Sequence, residues 1–319
     1  MKNGPARFEF YLQPLEKLLA DAAGQPDPAL WLYQNNARTV LFMLEGLAKL
    51  YGNLHNKKRF AKIGMRFKRL EDALGSMDYY DGFAKQFAAD ATLSDASQIV
   101  AAKVVGKTND LNALLVSEKW LGPAANRLAK IRNRLAGMDW LDDKSEIKAM
   151  ASFYQSAIKK VNAFAAQYAD GFTEIESQVH EIRRKLRWLS IYPQALQGCV
   201  QLSESPSNDP NVAKYLTEAV VNSPFNKMPP GGKNHWVLLL NKDYFLALSW
   251  MISELGRLKD DGLRAFLLDE IGQGPKTDGE ADILAKASEI CRTFFAEKNL
   301  DKLVYGVVRV DEEAAVPKS

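Results

Sequence analysis

Apolar residues recur three or four positions apart along most of the chain, the spacing that places them on one face of an α-helix. Strong helix formers such as Ala, Leu, Lys, Glu and Arg fill the positions between them. The pattern predicts helices over 41–50, 60–74, 147–168, 179–189, 244–258 and 283–295. Strand-like runs are few, at 236–240 and 303–310. We therefore predict an all-α fold.

A segment rich in proline and glycine interrupts the helical pattern at residues 203–234. Proline lacks a backbone N–H and clashes with the preceding turn, so a continuous helix is excluded there, although a short helix over 212–221 is compatible. A polar, weakly patterned stretch at 90–110 is a candidate connection between two halves. The predicted organisation is a first helical half at 8–100, a second at 101–270 containing the insertion, and a C-terminal helix and extension at 280–310.

Composition excludes several classes of protein. No apolar run reaches the roughly 20 residues that span a bilayer, and the N-terminus mixes charges into its apolar positions, so we expect a cytoplasmic protein without a membrane partner. The two cysteines, Cys199 and Cys291, have no neighbouring cysteine or clustered histidine, so we expect no metal and no cofactor. The net charge is only +3, so any anion binding must come from local clusters.

Basic residues at helical spacing form three candidate ridges beside the predicted apolar stripes. The first contains His180, Arg183 and Arg187, with Arg184 beside them; the second contains Arg59, Lys62, Arg66 and Arg69; the third contains Arg127, Lys130 and Arg134. Arginine donates two parallel hydrogen bonds to phosphate, so ridges that converge would form a phosphate-binding groove. The alternative is a set of solvated helix faces, the first with intrahelical pairs to Glu176 or Glu181.

Two Leu-Gly segments indicate an internal duplication. Leu74-Gly75 is followed by Asp78 and Asp81, whereas Leu255-Gly256 is followed by Asp260 and Asp261. Each glycine predicts either a close approach of two helices or a helix end. We interpret Asp78 and Asp81 as cap or turn residues that follow Gly75.

These motifs resemble those of the CHAD family, the conserved-histidine α-helical domains. The segment His180-Glu-Ile-Arg183-Arg184-Lys-Leu-Arg187 is similar to the helix that opens each half of that family, and the two Leu-Gly segments are similar to its later motif. The resemblance covers roughly residues 8–270. The two halves agree in length if 203–234 is an insertion in the second.

The first half departs from the family pattern at its opening helix. Arg38 matches the family's arginine, but Asn35 stands at the histidine position. Phe42 and Met43 stand where the family has a pair of arginines, and Glu45 lies nearby. These changes affect the anion-facing positions more than the positions that determine the fold.

The resemblance implies two similar antiparallel helical bundles and non-enzymatic binding of inorganic polyphosphate, or a similar polyanion, in a basic groove between them. It carries over His180, Arg183, Arg187 and Arg38 as polyanion-binding residues. Arg59, Lys62, Arg66, Arg69 and Arg184 are added from the helical-face pattern alone.

Two other functions compete with polyanion binding. A degenerate scaffold that binds a protein partner is favoured by the low net charge and by the insertion at 203–234. An enzyme acting on phosphorylated substrates ranks third, because it needs a metal or a base beside the basic ridge. The string Asp142-Asp143-Lys-Ser-Glu146 has the spacing of a Mg²⁺ motif, but such strings are common at helix starts, where they complement the helix dipole.

Overall fold

Helices make up 73% of the computed structural model, which describes residues 2–203, 207–232, 234–273 and 279–310. The described part of the chain also contains one small sheet of three strands. High helical content, the coarse form of the all-α prediction, is therefore confirmed. The chain divides into two compact units, Met1–Leu141 and Asp142–Ser319, whereas the sequence pattern placed the division at residue 100.

The first unit is built around three long helices, of which α4 packs against both α3 and α5. Its helices are α1 (Asn3–Ala23), α2 (Pro28–Gln34), α3 (Ala37–Leu54), α4 (Lys57–Ala88), α5 (Ser94–Ser117) and α6 (Arg127–Ala136). The stretch at 90–110, interpreted as a connection, mostly lies in α5. The prediction was wrong because few positions of α5 are buried, among them Val100, Leu111 and Leu115, and they are too sparse to give a clear period.

The core of the first unit contains a cluster of aromatic rings. Phe8, Tyr51, Phe60 and Trp140 lie with ring centroids 5.2–6.2 Å apart, and all four are buried. Gly4 in α1 makes room for this cluster, because a Cβ there would lie 2.1 Å from the Trp140 ring. The cluster joins α1, α3 and α4 to the segment that follows α6.

The second unit surrounds the long helix α11. Its elements are α7 (Asp143–Ala166), a π-helical turn (Ile175–His180), α8 (Glu181–Ala195), β1 (Val200–Leu202), α9 (Pro210–Ala213), α10 (Glu218–Val221), β2 (Trp236–Leu240), α11 (Lys242–Glu270), α12 (Gly279–Ala296) and β3 (Val304–Arg309). Strand β2 is central: it pairs in parallel with β1 and antiparallel with β3. Both strand-like runs found in the sequence are strands, and β1 joins them. Cys199 and Cys291 are both buried.

The insertion at 203–234 contains short helices rather than the single helix expected over 212–221. Its described residues are anchored to the rest of the second unit by polar contacts. Asp209 accepts hydrogen bonds from Tyr244 (2.9 Å) and Lys302 (2.6 Å), and Tyr215 donates to Glu297 (2.7 Å). The insertion is therefore a packed part of this unit.

An arginine side chain lies against a helix glycine in each unit. A Cβ on Gly75 of α4 would lie 2.7 Å from Nη2 of Arg38, and a Cβ on Gly256 of α11 would lie 2.9 Å from Nε of Arg183. Both glycines are inside continuous helices. The helix-end reading of the Leu-Gly segments was therefore wrong, and each glycine instead makes room for an arginine side chain of a neighbouring helix. Asp78 and Asp81, interpreted as cap or turn residues, instead both lie within α4.

Two of the three interior glycines of α4, Gly75 and Gly82, provide a matched test of this contact. Gly82→Ala enters open space, so it should raise the free energy of unfolding by about 0.5–1 kcal/mol, the usual gain when alanine replaces a helix glycine. Gly75→Ala should lower it by about 1–2 kcal/mol, because the Arg38 guanidinium must leave its partners. Urea denaturation measures both values. Equal stabilisation by the two substitutions would contradict the contact.

Candidate functional site

Two of the three predicted cationic ridges lie side by side in the first unit. The ridge of α4 consists of Arg59, Lys62, Arg66 and Arg69, and the ridge of α6 consists of Arg127, Lys130 and Arg134. Each helix buries its apolar stripe, including Phe60, Ile63 and Phe67 in α4 and Ile131 and Leu135 in α6. Burial of these stripes turns the basic positions outward. We call these seven residues the cationic face.

Contacts at both ends of the cationic face show that α4 and α6 run in opposite directions. Arg59, near the start of α4, donates to the carbonyl oxygen of Gly137 at the end of α6 (3.1 Å). Arg66 and Arg69, further along α4, share the carboxylate of Glu118 with Arg127, the first residue of α6. The α4 ridge is about 15 Å long, at 1.5 Å per residue.

Glu118 is the meeting point of the two ridges. Its Oε2 accepts hydrogen bonds from Arg66 Nη1 (2.5 Å) and Arg127 Nη2 (2.8 Å), and its Oε1 accepts from Arg69 Nη1. Arg127 Nε also donates to the backbone carbonyl of Glu118 (2.6 Å). One carboxylate therefore balances three guanidinium groups, which leaves an excess of positive charge.

The electrostatics of the cationic face reflect this excess. Burial lowers the pKa of Arg127 from its ordinary value, and the positive charges of Arg66, Arg134 and Arg69 lower it further, against the raising effect of Glu118. Lys62, Lys130 and Arg134 are exposed, and they make no ion pair within the described part of the chain. These side chains can bind an anion without first breaking a contact of the fold.

Arg38, a predicted polyanion-binding residue, lies in an acidic environment. Its Nε donates to Glu71 (2.7 Å) and its Nη1 to Asp78 (2.6 Å), and its guanidinium lies over the Phe42 ring (5.2 Å). Glu45 is buried in the same unit, with an ion pair to Lys49. The carboxylates neutralise Arg38, so we leave it out of the candidate site.

The residues of the first predicted ridge lie in the second unit. His180 contacts Glu176 (3.0 Å) and Arg184 contacts Glu181 (2.5 Å), the intrahelical pairs that the alternative interpretation expected. Arg183 lies over Gly256 and donates to the backbone carbonyl of Ile252 (3.2 Å). Arg187 follows one turn later on α8 and is half-buried. In this ridge, Arg183 therefore contributes to helix packing, and His180 and Arg184 form contacts with carboxylates nearby in the chain.

The acidic string at 142–146 is a helix start. Asp142 is the N-cap of α7, and its side chain accepts a hydrogen bond from the backbone N–H of Ser145 (3.0 Å). Within the described ranges, no group of three or more His, Cys, Asp or Glu side chains is arranged to hold a metal ion. No helix among the described residues is long and apolar enough to cross a membrane.

Comparisons with protein-family models, with curated proteins and with solved structures give no match. The structure defines a mostly helical chain of two units, with a cationic face on the first.

Sequence reasoning missed Glu118 as a member of the site and set the Arg127 ridge aside as weaker. Glu118 lies one residue beyond α5, in a region that has no helical stripe to mark it. The spacing of Arg127, Lys130 and Arg134 was visible, but nothing in the sequence indicated that α6 lies alongside α4. Only the shared ion pairs with Glu118 bring these residues together.

The buried ion pair of Glu71 gives a pH-dependent prediction. Burial raises the pKa of Glu71 above its ordinary value of 4.5, although Arg38 opposes the shift. Glu71 therefore binds a proton more tightly in the folded state, so its contribution to stability is greatest below pH 4.5 and is lost as pH rises through the folded pKa. We expect the difference in the free energy of unfolding, wild type minus Glu71→Gln, to decrease as the pH is raised from 4 to 7. Urea denaturation at several pH values measures this difference. A difference that grows with pH would show that Glu71 is stabilised as a carboxylate.

Proposed function

We propose that this protein binds inorganic polyphosphate, or a similar polyanion built from phosphate groups, without catalysing a reaction on it. The proposed site is the cationic face of the first unit. The observation that carries the proposal is the convergence of three arginines, Arg66, Arg69 and Arg127, on the single carboxylate of Glu118, with four further basic side chains along the same two ridges. The resemblance to the CHAD family, seen in the sequence motifs, implies the same class of ligand, but the residues that it carries over, His180, Arg183, Arg187 and Arg38, lie outside the cationic face.

The form of the cationic face favours an extended ligand. Arginines at both ends and one exposed lysine in each ridge follow the helix axes, for about 15 Å along α4, which suits a chain of anionic groups better than one small anion. Arg66 and Arg69 are partly exposed, with 33% and 54% of their side-chain surface accessible. Their guanidinium groups are able to meet such a chain from solvent.

A ligand with its charge on phosphate groups fits this surface better than a single-stranded nucleic acid. Proteins that bind single strands stack the bases on exposed aromatic side chains. Phe67 and Trp120, the aromatic residues nearest to the arginine cluster in sequence, are buried. These two rings therefore offer no stacking platform for bases.

Lys62 and Lys130 provide the sharpest test, because both are exposed and lie in the middle of their ridges. The double variant Lys62→Ala/Lys130→Ala should bind long-chain polyphosphate more weakly at low salt. Its plot of log affinity against log salt should be shallower by roughly 1.4, since each lost phosphate contact lowers the slope by about 0.7. Isothermal titration at several salt concentrations measures both quantities.

The matched control is Lys68→Ala/Lys85→Ala, which removes the same charge from α4. Lys68 pairs with Asp72 (2.5 Å) and Lys85 with Asp81 (2.7 Å). At 100° per residue, both lie on other sides of α4 than the basic ridge. This control should bind like the wild type. Equal weakening in the two double variants would mean that net charge, and not the cationic face, determines binding.

A protein partner is the second candidate function, and the insertion favours it. Phe225 is 71% exposed and Val221 is 47% exposed, beside Pro224 in the same segment. Exposed apolar residues grouped in this way are typical of interaction surfaces. A folded protein that binds no polyphosphate at low salt would favour this function over the first.

A further inference from the structure

Glu118 occupies the place where a phosphate group of the proposed ligand would meet the most arginines. We propose that Glu118 is an internal competing ligand, which holds Arg66, Arg69 and Arg127 until a phosphate group displaces it. The inference rests on the proposed polyanion-binding function, and it names the residue that sets the affinity of the cationic face.

The backbone fixes Glu118 independently of the arginines. Glu118 caps the C-terminal end of α5, where its N–H bonds to Leu114 (2.9 Å). The next residue, Lys119, has a left-handed backbone (φ 62°), and Trp120 closes the turn through a hydrogen bond to Leu115 (2.8 Å). Because Trp120 is buried, this turn stays in place when the arginines change partner.

The setting of the Glu118 carboxylate makes it replaceable. The C-terminal end of a helix carries partial negative charge, which disfavours a carboxylate there, so the arginines are what stabilise it. Arg66 and Arg69 each donate a single hydrogen bond to Glu118, out of the five N–H groups that a guanidinium carries. Many donors therefore remain for another acceptor.

A phosphate chain competes well for these donors. It brings several oxygens and several negative charges, whereas Glu118 brings two oxygens and one charge. A small monovalent anion gains too little to displace the carboxylate. Glu118 therefore lowers the affinity for every anion, but it penalises short ligands more than long ones.

The substitution Glu118→Gln tests the inference directly. Glutamine keeps the shape and one acceptor oxygen but removes the competing charge. We expect Glu118→Gln to bind long-chain inorganic polyphosphate about tenfold more tightly than the wild type at low salt, the order of one removed charge at the site. The assay is titration of the full-length protein at fixed ionic strength, with thermal unfolding to verify the fold.

The matched control is Glu16→Gln, which makes the same change in net charge. Glu16 pairs with Arg132 of α6 (2.7 Å), on a face outside the two ridges. This control should bind like the wild type. An equal gain in both variants would overturn the inference, because it would reduce the effect to overall charge.

The remaining outcomes separate the inference from the proposed function. If the wild type binds polyphosphate as tightly as Glu118→Gln or more tightly, the inference is overturned and the proposed function stands. If neither protein binds polyphosphate, the inference and the proposed function are both overturned.

A second variant is available if Glu118→Gln does not fold. Glu118→Asp keeps the charge but shortens the side chain, so the carboxylate reaches fewer arginines. That variant should bind more tightly than the wild type, and unchanged or weaker binding would overturn the inference.

Discussion

A guanidinium group that lies against a helix glycine is the contact on which the packing of the long helices depends in each unit. Gly75 lets Arg38 of α3 lie against α4, and Gly256 lets Arg183 of α8 lie against α11. A Cβ at either position would come within 3 Å of the arginine. A charged group at such a contact needs acceptors, and each unit supplies them on the glycine-bearing helix.

The acceptors differ between the units, and this difference changes the charge of each helix face. In the first unit, Glu71 lies four residues before Gly75, and its carboxylate accepts a hydrogen bond from Arg38. In the second unit, Ile252 lies four residues before Gly256, and its backbone carbonyl accepts from Arg183. Three residues after Gly75 lies Asp78, which also pairs with Arg38. The corresponding position after Gly256 is Lys259. The same packing contact is therefore kept on two electrostatically different faces.

The cationic face lies on the side of α4 roughly opposite to Gly75. At 100° per residue, one side of α4 carries Glu71, Gly75 and Asp78, while the other carries the ridge that meets Glu118. One helix thus separates an acidic, packed side from a basic, solvent-facing side. A net charge of +3 over the whole chain hides this local separation, because Asp and Glu elsewhere balance the basic residues.

The sequence by itself determined the helical fold, the break at 203–234 and the positions of the basic ridges, because helical period, proline and residue charge are local properties. It also singled out Gly75 and Gly256, although it left open whether each marks a close approach of two helices or a helix end. The tertiary structure alone decided which basic residues share a surface. Arg66 and Arg127 are far apart in the chain, and they meet because the turn after α5 places Glu118 between them. Arg38 was assigned to a ligand from its motif, but the carboxylates that face it come from another helix, and no local pattern could reveal them.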